Sequence, residues 1–365
     1  MNIVITGGGT GGHIYPALAV ASALQELHPG LRLLYAGRSG GLEERLAVAA
    51  GLPFAGLPGR PLVSGAGAVS AAAHLARGVL AAARMLARER PACVVGTGGF
   101  ASAAVCAAQA ARRRPLVLVD GNALPGRTVR LLARRAAAVC TAFEEAATSL
   151  SGCRVVRTGY PVRAEFAARR DRGACRRAFG LREDAFTLVV VGGSQGAQFL
   201  NQLVRESASA LAASGVQILH QTGSRDTLQD APDVPGWLRI EYIEDVAGAF
   251  AAADLVVSRA GASTLAELAL QGAAAILVPY PHAQGDHQRL NALSLASEER
   301  AIVADQQNLT PQRFINLIQD ALARPEELQR LRERIHQWAT PGAAHDVARL
   351  ALEAAAGRGP ESERD

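Results

Sequence analysis

Lysine is absent from this chain: all 38 basic side chains are arginines. Schiff-base chemistry, a lysine general base and the Gly-Lys-Ser/Thr phosphate loop are therefore excluded, and any anion must be held by arginine or by backbone N–H groups. Aromatic residues make up only 4% of the chain, which weakens a single-stranded nucleic-acid reading, because stacking platforms need them. The five cysteines (93, 106, 140, 153 and 175) are odd in number and show no C-x-x-C spacing, so they read as reduced, partly buried thiols of a cytoplasmic protein. No apolar run approaches the roughly 18–20 residues that span a bilayer. The N-terminus lacks a basic leader segment, and the expectation is a chain neither secreted nor transmembrane. No Asp-x-Asp occurs either, so there is no such carboxylate pair to seat a divalent cation on a diphosphate.

What is present is an ordinary soluble composition, 49% hydrophobic and 19% charged over 365 residues. At roughly 150 residues per domain that length suggests two domains. The net charge of +5 hides an asymmetry: residues 1–163 carry 18 Arg against seven acids, residues 164–365 carry 20 Arg against 26 acids. A basic first half suits nucleic acid, anionic lipid or a phosphorylated substrate.

Short β-branched runs alternate with Ala/Leu/Arg stretches of helical spacing, the pattern of βαβ units on a parallel sheet. The runs 2–6, 31–35, 92–96, 116–119 and 137–141 read as strands of the first half. Those at 186–191, 217–220, 238–242, 255–257 and 274–278 read as strands of the second, giving two sheets of about five strands. Each half opens with an apolar strand that runs into a glycine loop, Gly7-Gly8-Gly9-Thr10-Gly11-Gly12-His13 and Gly192-Gly193-Ser194-Gln195-Gly196. The spacing thus predicts α/β architecture with two tandem Rossmann-like, doubly wound domains. They are expected at 1–163 and 164–342, with a helix at 343–356 able to cross back to the first and a disordered tail at 357–365.

Glycine loops between strand and helix let backbone N–H groups approach an anion, and the helix dipole adds to the attraction. A nicotinamide-binding reading fits poorly, because the second strand ends Leu33-Leu34-Tyr35-Ala36-Gly37-Arg38 with no acid for a ribose. His13 follows the first loop, where a helix N-terminus disfavours the imidazolium and suits the ring to a general base. A second cluster, Thr97-Gly98-Gly99, is placed to bind another anionic group. In the second half, the small residues Ala260-Gly261-Ala262-Ser263-Thr264 open a helix whose amides can meet a diphosphate, with Glu267 placed for a ribose diol. His282 and His287 lack a third ligand and do not read as a zinc site.

The motifs Gly8-Gly9-Thr10-Gly11-Gly12-His13, Gly98-Gly99-Phe100, Pro161-Val162-Arg163, Gly192-Gly193-Ser194-Gln195-Gly196, Arg259-Ala260-Gly261-Ala262-Ser263-Thr264-Leu265-Ala266-Glu267 and Asp286-His287-Gln288 resemble, in order, those of the MurG family. These are the GT-B glycosyltransferases that add N-acetylglucosamine to the lipid-linked muramoyl-pentapeptide of bacterial peptidoglycan. The resemblance implies two domains facing across a cleft, with the donor UDP-N-acetylglucosamine (UDP-GlcNAc) in the second and the acceptor, lipid I, in the first. It implies Ser194 and Arg163 on the diphosphate, Ile243 reading uracil through its backbone, and Ala262, Ser263, Thr264, Leu265, Ala266 and Glu267 over phosphates and ribose. Gln288 would recognise the sugar, Thr10, Gly11, Gly12 and Asn122 would line the opposite side, and Gly98 and Gly99 would face the acceptor. Val119-Asp120-Gly121-Asn122 and Tyr160 depart from the family's usual His-Glu-Gln-Asn and Asn.

The implied reaction is an inverting displacement, independent of metal or cofactor, with His13 as base and Asp120 as the second choice. A lipid-bound acceptor implies a peripheral protein at the cytoplasmic face of the membrane. Residues 69–90 predict an amphipathic helix for that contact, with Leu75, Val79 and Leu86 on one face and Arg77, Arg84 and Arg88 beside it. Implied partners are the two substrates, an anionic membrane surface and other cell-wall synthesis proteins, without nucleic acid. The competing readings are a UDP-GlcNAc 2-epimerase and a non-catalytic sugar-nucleotide-binding protein.

Overall fold

The computed structural model describes residues 1–58, 68–193, 195–224 and 232–357, apart from the side chains of residues 68–73 and 101. Two compact units result, Met1–Arg163 together with the segment from Thr340 onward, and Ala164–Ala339. The first alternates β1 (Asn2–Thr6), α1 (Gly11–Leu27), β2 (Arg32–Arg38), α2 (Leu42–Ala49), β3 (Phe54–Leu57), α3 (Ala68–Glu89) and β4 (Cys93–Gly96). It continues with α4 (Phe100–Ala111), β5 (Leu116–Asp120), α5 (Arg127–Leu132), β6 (Ala138–Thr141), α6 (Glu145–Thr148) and β7 (Val155–Arg157). Its seven strands are all parallel, in the order β3-β2-β1-β4-β5-β6-β7.

The second unit runs α7 (Arg172–Ala178), β8 (Phe186–Val191), α8 (Gln198–Ala213), β9 (Val216–Gln221), β10 (Trp237–Ile240), α9 (Val246–Ala252) and β11 (Leu255–Ser258). Then come α10 (Ala262–Gln271), β12 (Ala275–Leu277), α11 (His287–Ser297), β13 (Ile302–Val303), α12 (Pro311–Ala323) and α13 (Pro325–Gln337). Its six parallel strands are ordered β10-β9-β8-β11-β12-β13. The last helix, α14 (Ala343–Ala355), packs on α1 of the first unit and on its strands β4 and β5. The tail expected at 357–365 lies beyond the described residues after Gly357.

The central strands are continuous apolar runs because helices cover both faces of a parallel sheet. Ile3, Val4 and Ile5 of β1 and Leu188, Val189 and Val190 of β8 are wholly buried. The three strands that the sequence pattern did not yield are β3, β7 and β13, each at a sheet edge and two to four residues long. A strand paired on one side and partly wet needs no long apolar run, so its pattern is faint. In the second unit Asp254 gathers Thr187 N (2.8 Å), Arg176 (2.6 Å), Arg172 (3.0 Å) and Arg332 (3.4 Å), tying α7 and α13 to the ends of β8 and β11.

The membrane-facing stripe expected on α3 needs correction. Leu86 and Ala82 are fully buried and Val79 packs against the same core cluster. The helix lies on α4 so closely that a Cβ on Gly78 would stand 3.4 Å from that of Ala104. The apolar periodicity of this helix therefore reports its seat on its own unit. Leu75 and Leu80 remain exposed, beside the exposed Arg77, Arg84 and Arg88.

Candidate active site

In each sheet the strand order reverses between the strand that opens the unit and its later neighbour, β1 with β4 and β8 with β11. A crevice forms at such a point beyond the carboxyl ends of the strands, and ligands of doubly wound folds bind there. All the glycine loops singled out in the sequence, and the Arg259–Gly261 turn, follow these four strands.

In the first unit two loops lock together. Gly8 N donates to Gly98 O (3.2 Å), Thr97 N to Thr6 O (2.9 Å) and Thr97 Oγ1 to His13 O (2.6 Å). Gly98 and Gly99 have φ of 103° and 90°, a region that favours glycine. A Cβ on Gly98 would stand 2.8 Å from His13 Nδ1, and one on Gly99 would run into the Gly8 carbonyl. His13, the third residue of α1, places Nδ1 3.0 Å from Thr97 O. A carbonyl only accepts, so in this contact Nδ1 is the donor, and in the neutral form of the ring the corresponding tautomer makes Nε2 the basic nitrogen. Thr10 is the N-cap but makes no side-chain capping bond, so the first-turn amides of Gly12 and His13 receive no cap from its hydroxyl.

Three further side chains support these loops, and sequence reasoning did not assign those roles. The buried Tyr160 donates its hydroxyl to Gly12 O (2.9 Å), which gives the departure from asparagine a structural task. Burial, with Asp120 nearby, pushes that hydroxyl's pKa above its ordinary value, so it stays a donor. Tyr35 holds Gly7 O at 2.7 Å. Glu43, only 2% exposed, accepts from Arg38 N (3.2 Å) and sits directly against Gly8, Gly37 and Gly41. Arg163 lies with its guanidinium 4.7 Å from the centre of the Tyr15 ring.

Asp120 must be reassigned. At the end of β5 its Oδ1 accepts from Asn122 N (3.0 Å) and Asn122 Nδ2 (2.9 Å), and its Oδ2 from Gly126 N (2.6 Å). A carboxylate engaged by three donors of its own loop is a loop organiser and is poorly suited to take a proton from a substrate. It orients Asn122, whose side chain it grips.

In the second unit Ser194 lies outside the described residues. Around it Gly193 and Gly196 have φ of 92° and 80°, and a Cβ on Gly196 would overlap the backbone of Thr222 and Gly223. The loop after β8 thus lies against the end of β9. Helix α10 begins at Ala262 behind Gly261, which supplies no side-chain cap and whose missing Cβ would face open space. The half-exposed residues Ala262, Ser263 and Thr264 present its first amides, and Leu265, Ala266 and Glu267 are buried in the next turn. Asn291 Nδ2 steadies the preceding turn through Ala260 O (3.1 Å). Burial pulls the pKa of Arg259 down to about 10, so it remains a cation at neutral pH, held by the carbonyls of Val278 and Pro279 (3.0 and 3.2 Å). Gln288 Oε1 accepts from Tyr280 N (2.9 Å), which leaves its amide N–H groups as the donors toward a ligand.

The Ile243 N–H donates to Gln221 Oε1 (3.0 Å), so of that residue's two backbone groups the carbonyl is the one the expected contact with a base would use. Gln221 itself was missed, although His220-Gln221-Thr222-Gly223 carries the signature used elsewhere in the chain, polar residues at a strand end followed by glycine.

Comparison with known proteins shows the family. The glycosyltransferase family 28 N-terminal domain matches residues 3–141 and its C-terminal domain residues 187–346. The chain belongs to glycosyltransferase family 28. It is similar to proteins named UDP-N-acetylglucosamine–N-acetylmuramyl-(pentapeptide) pyrophosphoryl-undecaprenol N-acetylglucosamine transferase. That of Moorella thermoacetica is 40% identical over 366 residues, covering 96% of this chain and 98% of the relative. That of Chlorobium luteolum is 40% identical over 359 residues, covering 95% and 97%. The crystal structure of Acinetobacter baumannii MurG superposes with a TM-score of 0.77 at 29% identity, over 96% of this chain and 99% of that one. The two parallel α/β domains expected of a GT-B enzyme are those found. A UDP-GlcNAc 2-epimerase from Neisseria meningitidis shares the fold, at a TM-score of 0.71 and 12% identity, over 97% of this chain and all of that one.

Proposed function

We propose that this family-28 chain transfers N-acetylglucosamine from UDP-GlcNAc to the C4 hydroxyl of the muramoyl residue of lipid I, forming lipid II and releasing UDP. The observation that carries the reading is the match, over nearly the whole of both chains, to relatives named for that transfer. The donor belongs to the second unit. There the first-turn amides of α10 face the diphosphate with Ser194, Glu267 takes the ribose, the Ile243 carbonyl accepts from uracil N3–H, and Gln288 donates to a sugar hydroxyl. Arg163 supplies the cation to the diphosphate. The first unit faces the acceptor through Gly98 and Gly99, and Thr10, Gly11, Gly12 and Asn122 are its residues for UDP-GlcNAc.

The reaction is a single inverting displacement. His13 Nε2 takes the proton of the C4 hydroxyl as its oxygen bonds to the anomeric carbon, and the bond from that carbon to the diphosphate oxygen breaks. Charge grows on the departing UDP, so N–H groups fixed before reaction stabilise the transition state more than the ground state. A membrane-bound acceptor places the protein at the cytoplasmic face as a peripheral protein; among the described residues no helix is long and apolar enough to cross a membrane. The deciding experiment is acceptor-dependent UDP release from UDP-GlcNAc. Release only with a lipid I analogue supports the transfer; epimerised sugar, or no turnover at all, would overturn it.

A further inference from the structure

Gln221 closes β9 with a side chain only 2% exposed whose amide is used at both ends. Its Nε2 donates to Gly193 O (3.0 Å), in the glycine loop after β8, and its Oε1 accepts from Ile243 N (3.0 Å), so one side chain bridges the two segments. The backbone beside it is fixed as well. Thr222 N and Gly223 N bond to Ile240 O and Glu241 O (2.9 Å each), and Asn201 Nδ2 donates to Thr222 O (2.8 Å). Asn201 Oδ1 in turn lies 3.1 Å from His220 Nε2, and the His220 ring stacks on Trp237. The Gln221 amide therefore has little freedom to swing, and the two backbone groups it joins cannot shift independently.

We propose that Gln221 is a specificity-determining positioning residue: by holding the Ile243 N–H it fixes the peptide plane that leads into Ile243, from which that residue's carbonyl is directed at the donor's base, and by holding Gly193 it keeps Ile243 in register with the loop that meets the phosphates. The proposal rests on the UDP-sugar reading above. Uracil presents N3–H to such a carbonyl, whereas cytosine presents a bare N3 lone pair in the same place. A fixed carbonyl oxygen therefore accepts the one and repels the other, and a loosened one discriminates less.

The test compares UDP and CDP binding by calorimetry, with donor kinetics, for the wild type, Gln221→Leu and Gln221→Glu. Leucine keeps the volume and removes both bonds; glutamate keeps the acceptor for Ile243 N and removes only the donor to Gly193. Gln221→Leu is expected to lower the UDP:CDP affinity ratio at least about tenfold and to raise the donor KM, with kcat within about threefold because Gln221 touches no reacting atom. Gln221→Glu is expected to keep the ratio within about twofold of wild type while weakening both nucleotides. If Gln221→Leu weakens UDP and CDP equally, or if glutamate loses the ratio as leucine does, the proposal is overturned. Should the leucine variant fail to fold, the glutamate ratio decides. Wild type that binds no UDP contradicts the donor reading itself; wild type that binds UDP and CDP equally contradicts only the role given to Gln221.

Discussion

His13 and Asp120, the first and second choices for the base, differ in what their hydrogen bonds leave them to do. With Nδ1 tied to the Thr97 carbonyl, the His13 ring keeps one orientation and one tautomer, both of which a base needs. His13→Ala is expected to lower kcat at least about 100-fold with the donor KM within about threefold, read by UDP release with a lipid I analogue. Asp120 spends its carboxylate on Asn122 and Gly126. Asp120→Ala leaves those donors unpaired and should destabilise the first unit by about 1–3 kcal/mol in urea unfolding. Its effect on kcat should be well below that of His13→Ala; an equal loss would return Asp120 to the chemistry.

At the scale of elements, the loops between strand and helix are held as much by steric necessity as by bonds. Gly9 has a φ of 87° with open space where a Cβ would go, whereas the Cβ of residue 98 or 99 would strike the His13 ring or the Gly8 backbone. Gly9→Ala should therefore show backbone strain alone, about 1 kcal/mol, while Gly98→Ala and Gly99→Ala should lose about 2–4 kcal/mol. Thermal unfolding separates the cases. Three equal losses would show that conformation, not close approach, sets the glycine requirement. Helix α3 makes a related point. Its apolar repeat was as good a signature for a membrane face as for a core face, and only the fully buried Leu86 and Ala82 decide for the core.

For the molecule as a whole, the buried thiols set an alkaline limit. Burial pushes Cys93, Cys106 and Cys140 each up to about 12, from 9 when unfolded. The folded state thus keeps protons that the unfolded chain gives up. The stability involved is fully present below pH 9 and is lost as pH rises from 9 toward 12, at on the order of 1 kcal/mol per thiol per pH unit. Urea midpoints should fall between pH 8.5 and 10.5, and substituting Ala for all three cysteines should flatten the fall. The membrane reading rests on a smaller surface than the sequence suggested, the exposed Leu75 and Leu80 beside Arg77, Arg84 and Arg88. Leu75→Ser with Leu80→Ser should weaken flotation with anionic vesicles several-fold, and high salt should weaken wild type similarly, since each arginine near such a surface is worth about 1 kcal/mol. Flotation indifferent to both changes would place the contact elsewhere.

The amino-acid sequence by itself determined the parallel α/β class and the tandem units, because buried strands that run into glycine loops can be read locally. It also determined that anions here meet arginine and amides, since no lysine exists to do otherwise. Short edge strands escaped because they are defined by a neighbour rather than by their own composition. Only the tertiary structure decided that Asp120 holds its own loop, that Tyr160 pins Gly12, that Leu86 faces the core and that Gln221 joins Gly193 to Ile243. Asp120 finds its partners two and six residues along its own loop, whereas the others concern which neighbour a side chain meets across residues distant in sequence. No periodicity records that, whereas in the folded chain burial makes an unpaired donor or acceptor too costly to leave unmatched.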